Sequence, residues 1–471
     1  MKHLLTELTQ AVRADGSIDE KDLEPLMHGQ KVFRLSVTSA VNKRRCIWRG
    51  AKNLIFTLYE KRLAMENLKA LIVPKAGNKI NQFDKHSKYI VKIHAAIKLE
   101  NSLFEYAENF YKAAHMIAEF LLYKEIRDTW KRDSYFFAIA FLYRHCMELG
   151  LKAIGFQYIQ DIEERTSFVK ETRHNLFDIL KVVNEKSEKL RTDEEIEWMK
   201  RYFDNLSQMD KDSDSFRYPF HIFWKSGIWN AEGVFNSQTH VNLVKFVNKF
   251  EAAYEIIKKW YSKDTSDAVK WKELDPIFIE TGGYCYEGAI IEYANEKLDF
   301  LQYTKAYLET ANYLKRYMKR KTDLGKNMDC KNCLFLPMGY LYRNCVELYL
   351  KEILFEELDG CFPDKCKFMA DTKHSIAGMW KKIKPSILRC KRGNQKALEY
   401  LTVIEDYCMQ VHELDSDANM FRYPMRNTMQ VYFPQNKRFD FMQMGDFFEA
   451  LNNILADIDM DFAQLNDQRG M

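Results

Sequence analysis

Apolar residues recur at three- and four-residue steps along most of the chain, the spacing of amphipathic helices. Phe104, Tyr106, Phe110, Tyr111, Ala114, Ile117, Phe120 and Leu121 largely keep that rhythm. Phe300, Tyr303, Tyr307, Ala311, Leu314 and Met318 repeat it about two hundred residues on. Further helices are predicted over 134–155 and 334–355, with closing helices over 241–260 and 441–462. Pro74 with Ala76-Gly77-Asn78 ends a first helical stretch, and Pro219 and Pro424 each end regular helix, because proline lacks the donor that a helix interior needs. Irregular stretches with short extended pieces are expected after both, at 221–238 and 426–439. The same order of segments thus occurs twice.

Residue identity makes the repetition explicit. Tyr143-Arg144-His145-Cys146-Met147-Glu148-Leu149-Gly150-Leu151-Lys152 returns as Tyr342-Arg343-Asn344-Cys345-Val346-Glu347-Leu348-Tyr349-Leu350-Lys351. Arg173-His174 returns as Lys373-His374, and Phe216-Arg217-Tyr218-Pro219 as Phe421-Arg422-Tyr423-Pro424. An acidic run precedes the last motif each time, Asp212-Ser213-Asp214 and Asp415-Ser416-Asp417. Three landmarks displaced by 199, 200 and 205 residues mark a tandem duplication. The expected organisation is an N-terminal helical segment at 1–87, a first bundle at 88–262, a linker at 263–285 and a second bundle at 286–471.

Composition narrows the class. A chain of 471 residues is too long for a single core, and 46% hydrophobic with 29% charged residues is a globular balance. Nine prolines and eighteen glycines are few for this length and agree with an all-α fold. A net charge of +4 sets up no global field. The longest apolar run, 135–143, is nine residues and far short of a membrane span. With no secretory leader and ten scattered cysteines, the expected setting is the cytoplasm, with reduced thiols.

Several local patterns weaken on inspection. Residues 14–22 look like the second half of a calcium loop, but Ala11 and Arg13 stand where oxygen ligands are required, so a capped turn is expected. Lys43, Arg44, Arg45, Arg49 and Lys52 around Trp48 read as the wet face of a helix, the alternative being a phosphate-holding stacking site. Cys330 and Cys333 with Cys361 and Cys366 are loosely spaced for zinc, and the first repeat lacks all four, so no metal is expected. No phosphate loop, His-Glu-x-x-His pair or Gly-x-Ser-x-Gly elbow occurs, and no cofactor is expected.

The duplicated helix carries the candidate chemistry. Leu142, Cys146, Leu149 and Ala153 form an apolar stripe, and Arg144, Glu148 and Lys152 a polar row at four-residue steps. A solvated row would be a ladder of weak pairs. A buried row needs partners, because unpaired buried charge is costly. His174, Asp212, Asp214 and Arg217 are candidates, and the second repeat offers Arg343, Glu347, Lys351, His374, Asp415, Asp417 and Arg422. The expected pairing joins Arg217 to Glu148 and Arg422 to Glu347.

A helix reading Arg-x-x-x-Glu-Leu-x-Leu-Lys, then a His before Leu or Ile, then an acidic loop and Arg-Tyr-Pro, resembles bacterial HEPN (higher eukaryote and prokaryote nucleotide-binding) domains over 100–260 and 290–465. The resemblance implies all-α bundles that dimerise. In active members it also implies metal-independent RNA cleavage in a cleft shared by two bundles, in phage-defence or toxin–antitoxin systems. Tandem copies would form that dimer, a pseudo-dimer, within one chain. Active members separate an arginine from a histidine by four to six residues; here the nearest approach, Arg217 to His221, leaves three between. The resemblance therefore carries the fold and an RNA-facing role, while the catalytic candidates are this chain's own.

Those candidates are Arg144, His145, His174, Arg217 and His221, with Arg343, His374 and Arg422 as second-repeat counterparts. A histidine would serve as general acid or base and arginines would steady phosphate charge. Asn344 and Arg426 replace His145 and His221 in the second repeat, so the active cluster is expected mainly in the first. RNA is the expected partner, with an antitoxin-like protein or a second copy as further partners, and no membrane. The competing expectation is a non-catalytic scaffold whose polar clusters merely lock each bundle. A cleft shared between the repeats favours RNA chemistry; two closed clusters favour the scaffold.

Overall fold

Helices dominate because the apolar spacing is helical nearly throughout and turn residues are scarce. In the computed structural model, residues 72–469 are described, apart from short stretches at 125–128, 188–191, 236–239, 265, 267–269, 281–287, 292–299, 326–328 and 391–393. The calcium-loop-like segment, the basic cluster around Trp48 and part of the expected linker lie outside the described residues. Residues 72–471 belong to one compact unit.

The first repeat opens with strand β1 (Ile90–Ile93) and helix α1 (Leu99–Glu119), followed by the motif helix α2 (Thr129–Tyr158). Three shorter helices follow, α3 (Ile162–Thr172), α4 (Leu176–Lys186) and α5 (Asp193–Met209). Asp161, Asn175 and Thr192 cap their N-termini by accepting backbone amides, which sets where each begins. After Pro219 come the hairpin β2 (Phe220–Lys225) and β3 (Ile228–Gly233), a short strand β4 (Val241–Asn242) and the closing helix α6 (Leu243–Ser262).

The second repeat carries a similar order of helices, without a counterpart of the β2–β3 hairpin among the described residues. Strand β5 (Gly288–Ala289) precedes α7 (Leu301–Asp323) and the motif helix α8 (Asp329–Glu352). Then come α9 (Phe362–Thr372), α10 (Ile376–Cys390), α11 (Gln395–Leu414), strand β6 (Lys437–Asp440) and the closing helix α12 (Phe441–Arg469). Residues 72–80, ahead of β1, are tied to α11 and α12: Asn78 donates to the Tyr407 hydroxyl and accepts from Gln443.

Contacts between the repeats are reciprocal. β1, which leads into α1, pairs antiparallel with β6, which leads into α12. β5, which leads into α7, pairs antiparallel with β4, which leads into α6. Helix α1 packs on α8 as well as α2, and α7 packs on α2 as well as α8. The hairpin β2–β3 reaches across to α9, with Phe220 against Phe355.

Both motif helices lie at the centre. From Tyr135 to Phe156 every residue of α2 is buried, including the polar row. The apolar stripe seen in the sequence is thus only one of several covered faces, and Arg144, Glu148 and Lys152 have no water to solvate them.

Candidate active site

Glu148 and Glu347 are the anchors. Glu148 is fully buried; its Oε2 takes Arg144 Nη1 at 2.5 Å, and its Oε1 takes Lys152 Nζ at 2.7 Å. The same Oε1 accepts from His174 Nδ1 at 3.0 Å and from the hydroxyl of Tyr423, in the second repeat, at 2.7 Å. Glu347 mirrors this with Arg343 on Oε2, and on Oε1 Lys351 (2.8 Å), His374 Nδ1 (2.9 Å) and the Tyr218 hydroxyl (2.7 Å) of the first repeat. Each cluster therefore contains a tyrosine delivered by the other repeat.

The expected pairing of Arg217 with Glu148 and of Arg422 with Glu347 is corrected. Arg217 donates to Asp214 of its own loop, and among the described residues the Arg422 side chain reaches the Tyr423 hydroxyl alone, at 3.3 Å. Proline-bounded turns carry the adjacent tyrosines, not the arginines, to the glutamates, and they carry them into the opposite repeat.

The backbone around each histidine is held in an uncommon shape. Arg173 and Lys373, immediately before His174 and His374, have φ of 46° and 52° although neither is glycine. Side chains of the polar row hold the turns. Lys152 donates to Arg173 O at 2.7 Å, Arg144 donates to His174 O, and Arg343 donates to His374 O at 2.6 Å. Such conformations cost about 1–3 kcal/mol and persist only where surroundings enforce them, commonly at functional sites.

Electrostatics then fix protonation. Burial opposes ionisation of Glu148, but Lys152, His174 and Arg144 hold its carboxyl well below the usual range; Lys351, His374 and Arg343 do the same for Glu347. An ionised carboxylate only accepts, so each imidazole carries its proton on Nδ1 and leaves the Nε2 lone pair free. Burial pushes His174 below its ordinary value despite Glu148. For His374 the pull of Glu347 is outweighed by burial and by Lys351 and Arg217, and the shift is again downward. Both side chains are partly exposed, at 33% and 35%. Among the described residues Nε2 of neither has a hydrogen-bond partner.

Asp214 pairs with Arg217 of its own loop. Burial works against its charge, but Arg217 first, then His374, His174 and Lys351, hold its carboxyl below the ordinary value. Its carboxylate is 38% exposed and accepts from Arg217. A cavity of about 190 Å³ bounded by Lys92, His94, Glu105, Asn332 and Cys333 lies elsewhere, and neither histidine lines it.

The other sequence candidates fall into supporting places. Arg144 and Arg343 are fully buried and consumed by internal partners, Asp210 at 2.9 Å for the former and Asp415 at 3.7 Å for the latter. That longer separation leaves Asp415 without a full ion pair, and burial raises its carboxyl. Asp210, not Asp212, is therefore the equivalent of Asp415; Asp212 is exposed, and Asp417 binds Arg426 and Tyr432. His145 is also fully buried, with Nε2 on Arg422 O at 3.1 Å, and burial drives its basicity far down. Neither Arg144 nor His145 can touch a substrate. His221 sits exposed on β2 with Nε2 3.4 Å from Ser215 Oγ.

Sequence reasoning missed Tyr218, Tyr423, Asp210 and Asn419. The signal was present: the offset of 205 that aligns the Arg-Tyr-Pro motifs also aligns Asp210 with Asp415 and Asp214 with Asn419. Cys330 and Cys333 lie partly buried one turn apart on α8, and among the described residues no group of three or more His, Cys, Asp or Glu converges as a metal site. No described helix is long and apolar enough to cross a membrane. Comparison with family models, curated proteins and solved structures found no match.

Proposed function

We propose that the protein is a metal-independent, RNA-directed ribonuclease built as a HEPN-like pseudo-dimer, the two repeats related by an approximate twofold axis. The observation that carries this reading is the pair of Glu-anchored histidines, each with Nδ1 tied to its glutamate and Nε2 without a hydrogen-bond partner among the described residues. The reciprocal strand exchange and the crossed tyrosines support the pseudo-dimer.

In the proposed reaction, Nε2 of one histidine accepts the proton of a ribose 2′-hydroxyl. The 2′-oxygen bonds to the adjacent phosphorus, the bond to the 5′-oxygen breaks, and the other histidine, protonated, donates to that leaving oxygen. The products are a 2′,3′-cyclic phosphate and a 5′-hydroxyl. Glutamates hold each ring in one tautomer and orientation, a role that contributes to general acid–base catalysis of ~10²–10⁴-fold. A defence or toxin–antitoxin setting follows from the family resemblance alone.

The test is incubation with single-stranded RNA in EDTA, with end-group analysis. Cyclic phosphate termini, and resistance of a 2′-deoxy analogue, are the expected outcome; equal cutting of the analogue would overturn the mechanism. The scaffold reading draws on a different observation. Both charge rows are internally neutralised and each is cross-linked by the other repeat's tyrosine, as a device for locking two bundles would be. Intact RNA in that assay would leave it the better reading.

A further inference from the structure

The loops that deliver Tyr218 and Tyr423 are alike in backbone and unlike in charge. Each turns through a left-handed residue, Ser213 (φ 64°) or Ala418 (φ 59°). Each closes with the amides of Arg and Tyr donating to one carbonyl, that of Asp214 or of Asn419. Asp210 and Asp415 accept the amides of Ser215 and Met420 at matching points. Asp214 and Asn419 therefore occupy equivalent positions.

In the first loop Arg217 donates to the Asp214 carboxylate and, from Nε, to Ser213 O at 2.6 Å. In the second, asparagine replaces the aspartate. Arg422 is 3% exposed, its Nε is buried with no partner among the described residues, and its side-chain hydrogen bond to the Tyr423 hydroxyl is a long 3.3 Å. The rings of Phe141, Tyr340 and Tyr423 flank the guanidinium at 5.6, 5.6 and 5.0 Å. They attract a cation without neutralising it. A guanidinium stays protonated in proteins, and a buried charge without a counter-charge is costly.

Taken across the site, Arg144 and Lys152 face Glu148 and Asp210, Arg343 and Lys351 face Glu347 and Asp415, and Arg217 faces Asp214. Among the described residues, Arg422 is the cation of this set left without a carboxylate. The place its counter-charge would take is shown by the first loop, where the Asp214 carboxylate lies 38% open to solvent.

We propose that the cleft binds one phosphate group on the Arg422 side, in the place equivalent to the Asp214 carboxylate beside Arg217. The proposal rests on the cleft being the RNA site and gives it a direction. The scissile phosphate lies toward His174 and Arg422, and Asp214 keeps a second phosphate from the Arg217 side. The seat suits any phosphate with two free oxygens, whether inorganic phosphate or a phosphodiester.

The test is calorimetric titration of the full chain with inorganic phosphate and, separately, with a 2′-O-methyl RNA oligonucleotide that cannot be cleaved. Asn419→Asp supplies the missing carboxylate, so it should weaken binding by about tenfold or more, the loss of a charge-assisted contact, while thermal stability is kept or raised. Weakened binding of inorganic phosphate alone supports the seat with free phosphate as its source. Weakened binding of the oligonucleotide, with or without phosphate, supports a phosphodiester. No binding of either probe to the wild type, or equal binding to Asn419→Asp, overturns the proposal. If phosphate binds in the expected way and no RNA is cut, the ribonuclease reading falls and the seat stands. If RNA is cut equally well by wild type and Asn419→Asp, the seat falls and the ribonuclease reading stands.

Discussion

A single carboxylate in each repeat decides the chemistry of its surroundings. Glu148 takes four donors, two of them cations, and no water reaches it. Glu148→Ala leaves Arg144 and Lys152 buried without compensation and should cost about 3–5 kcal/mol in urea denaturation. Tyr423→Phe removes one hydrogen bond to a charged acceptor and should cost less, about 1.5–3 kcal/mol, with Tyr218→Phe matching it.

The histidines add a pH dependence whose sign is fixed. Both titrate lower in the folded chain than the ordinary value of about 6.5. Between those values the unfolded chain binds more protons, so stability is full above about pH 6.5 and falls as the pH drops through the window. Urea midpoints should therefore fall between about pH 7.5 and about pH 5.5 in the wild type, and fall less in a His174→Asn/His374→Asn double variant. The sequence showed the Arg-Glu-Lys row and both histidines by position. It hid the tyrosines, because a partner from the other repeat leaves no local spacing to read.

At the scale of elements, burial on every side separates the motif helices from the amphipathic helices around them. Gly339 on α8 shows how tight that packing is. A Cβ there would meet the Phe421 ring at 2.7 Å, next to Arg422 and Tyr423. Gly339→Ala should destabilise by about 1–3 kcal/mol and, by pushing on that loop, weaken RNA cleavage more than its stability cost explains. Thermal melting and initial rates measured on one preparation check both halves of that expectation. Helices α1, α2, α6, α7, α8 and α12 were legible from apolar spacing, whereas α3–α5 and α9–α11 were not singled out; caps such as Asp161 and Asn242 explain where several helices begin. The helix expected over 334–355 put Pro337 in its first turn, but α8 begins at Asp329 and Pro337 stands inside it, where proline removes a backbone bond that a tightly packed centre can offset. The strands were read only as short extended pieces. Their partners lie in the other repeat, and nothing local encodes such a pairing.

At the scale of the molecule, the exchange of strands and tyrosines makes each repeat incomplete alone. A protease site placed within 281–287 should leave two fragments that elute together in size-exclusion chromatography at micromolar concentration. Clean separation would contradict the interlocking contacts of β1 with β6 and β4 with β5. The same exchange sets the catalytic expectation, because each Glu–His pair is completed by the opposite repeat. In the sequence, His145 and His221 point to the first repeat. His145 is buried, whereas His174 and His374 are exposed to similar extents, so both are expected to contribute. The most direct measurement is the RNA cleavage rate in EDTA for the wild type, His174→Ala and His374→Ala. Cleavage by the wild type, with each single variant slowed about 10²–10⁴-fold, is the expected result. Full activity in either variant, or none in the wild type, would contradict a shared two-histidine cleft.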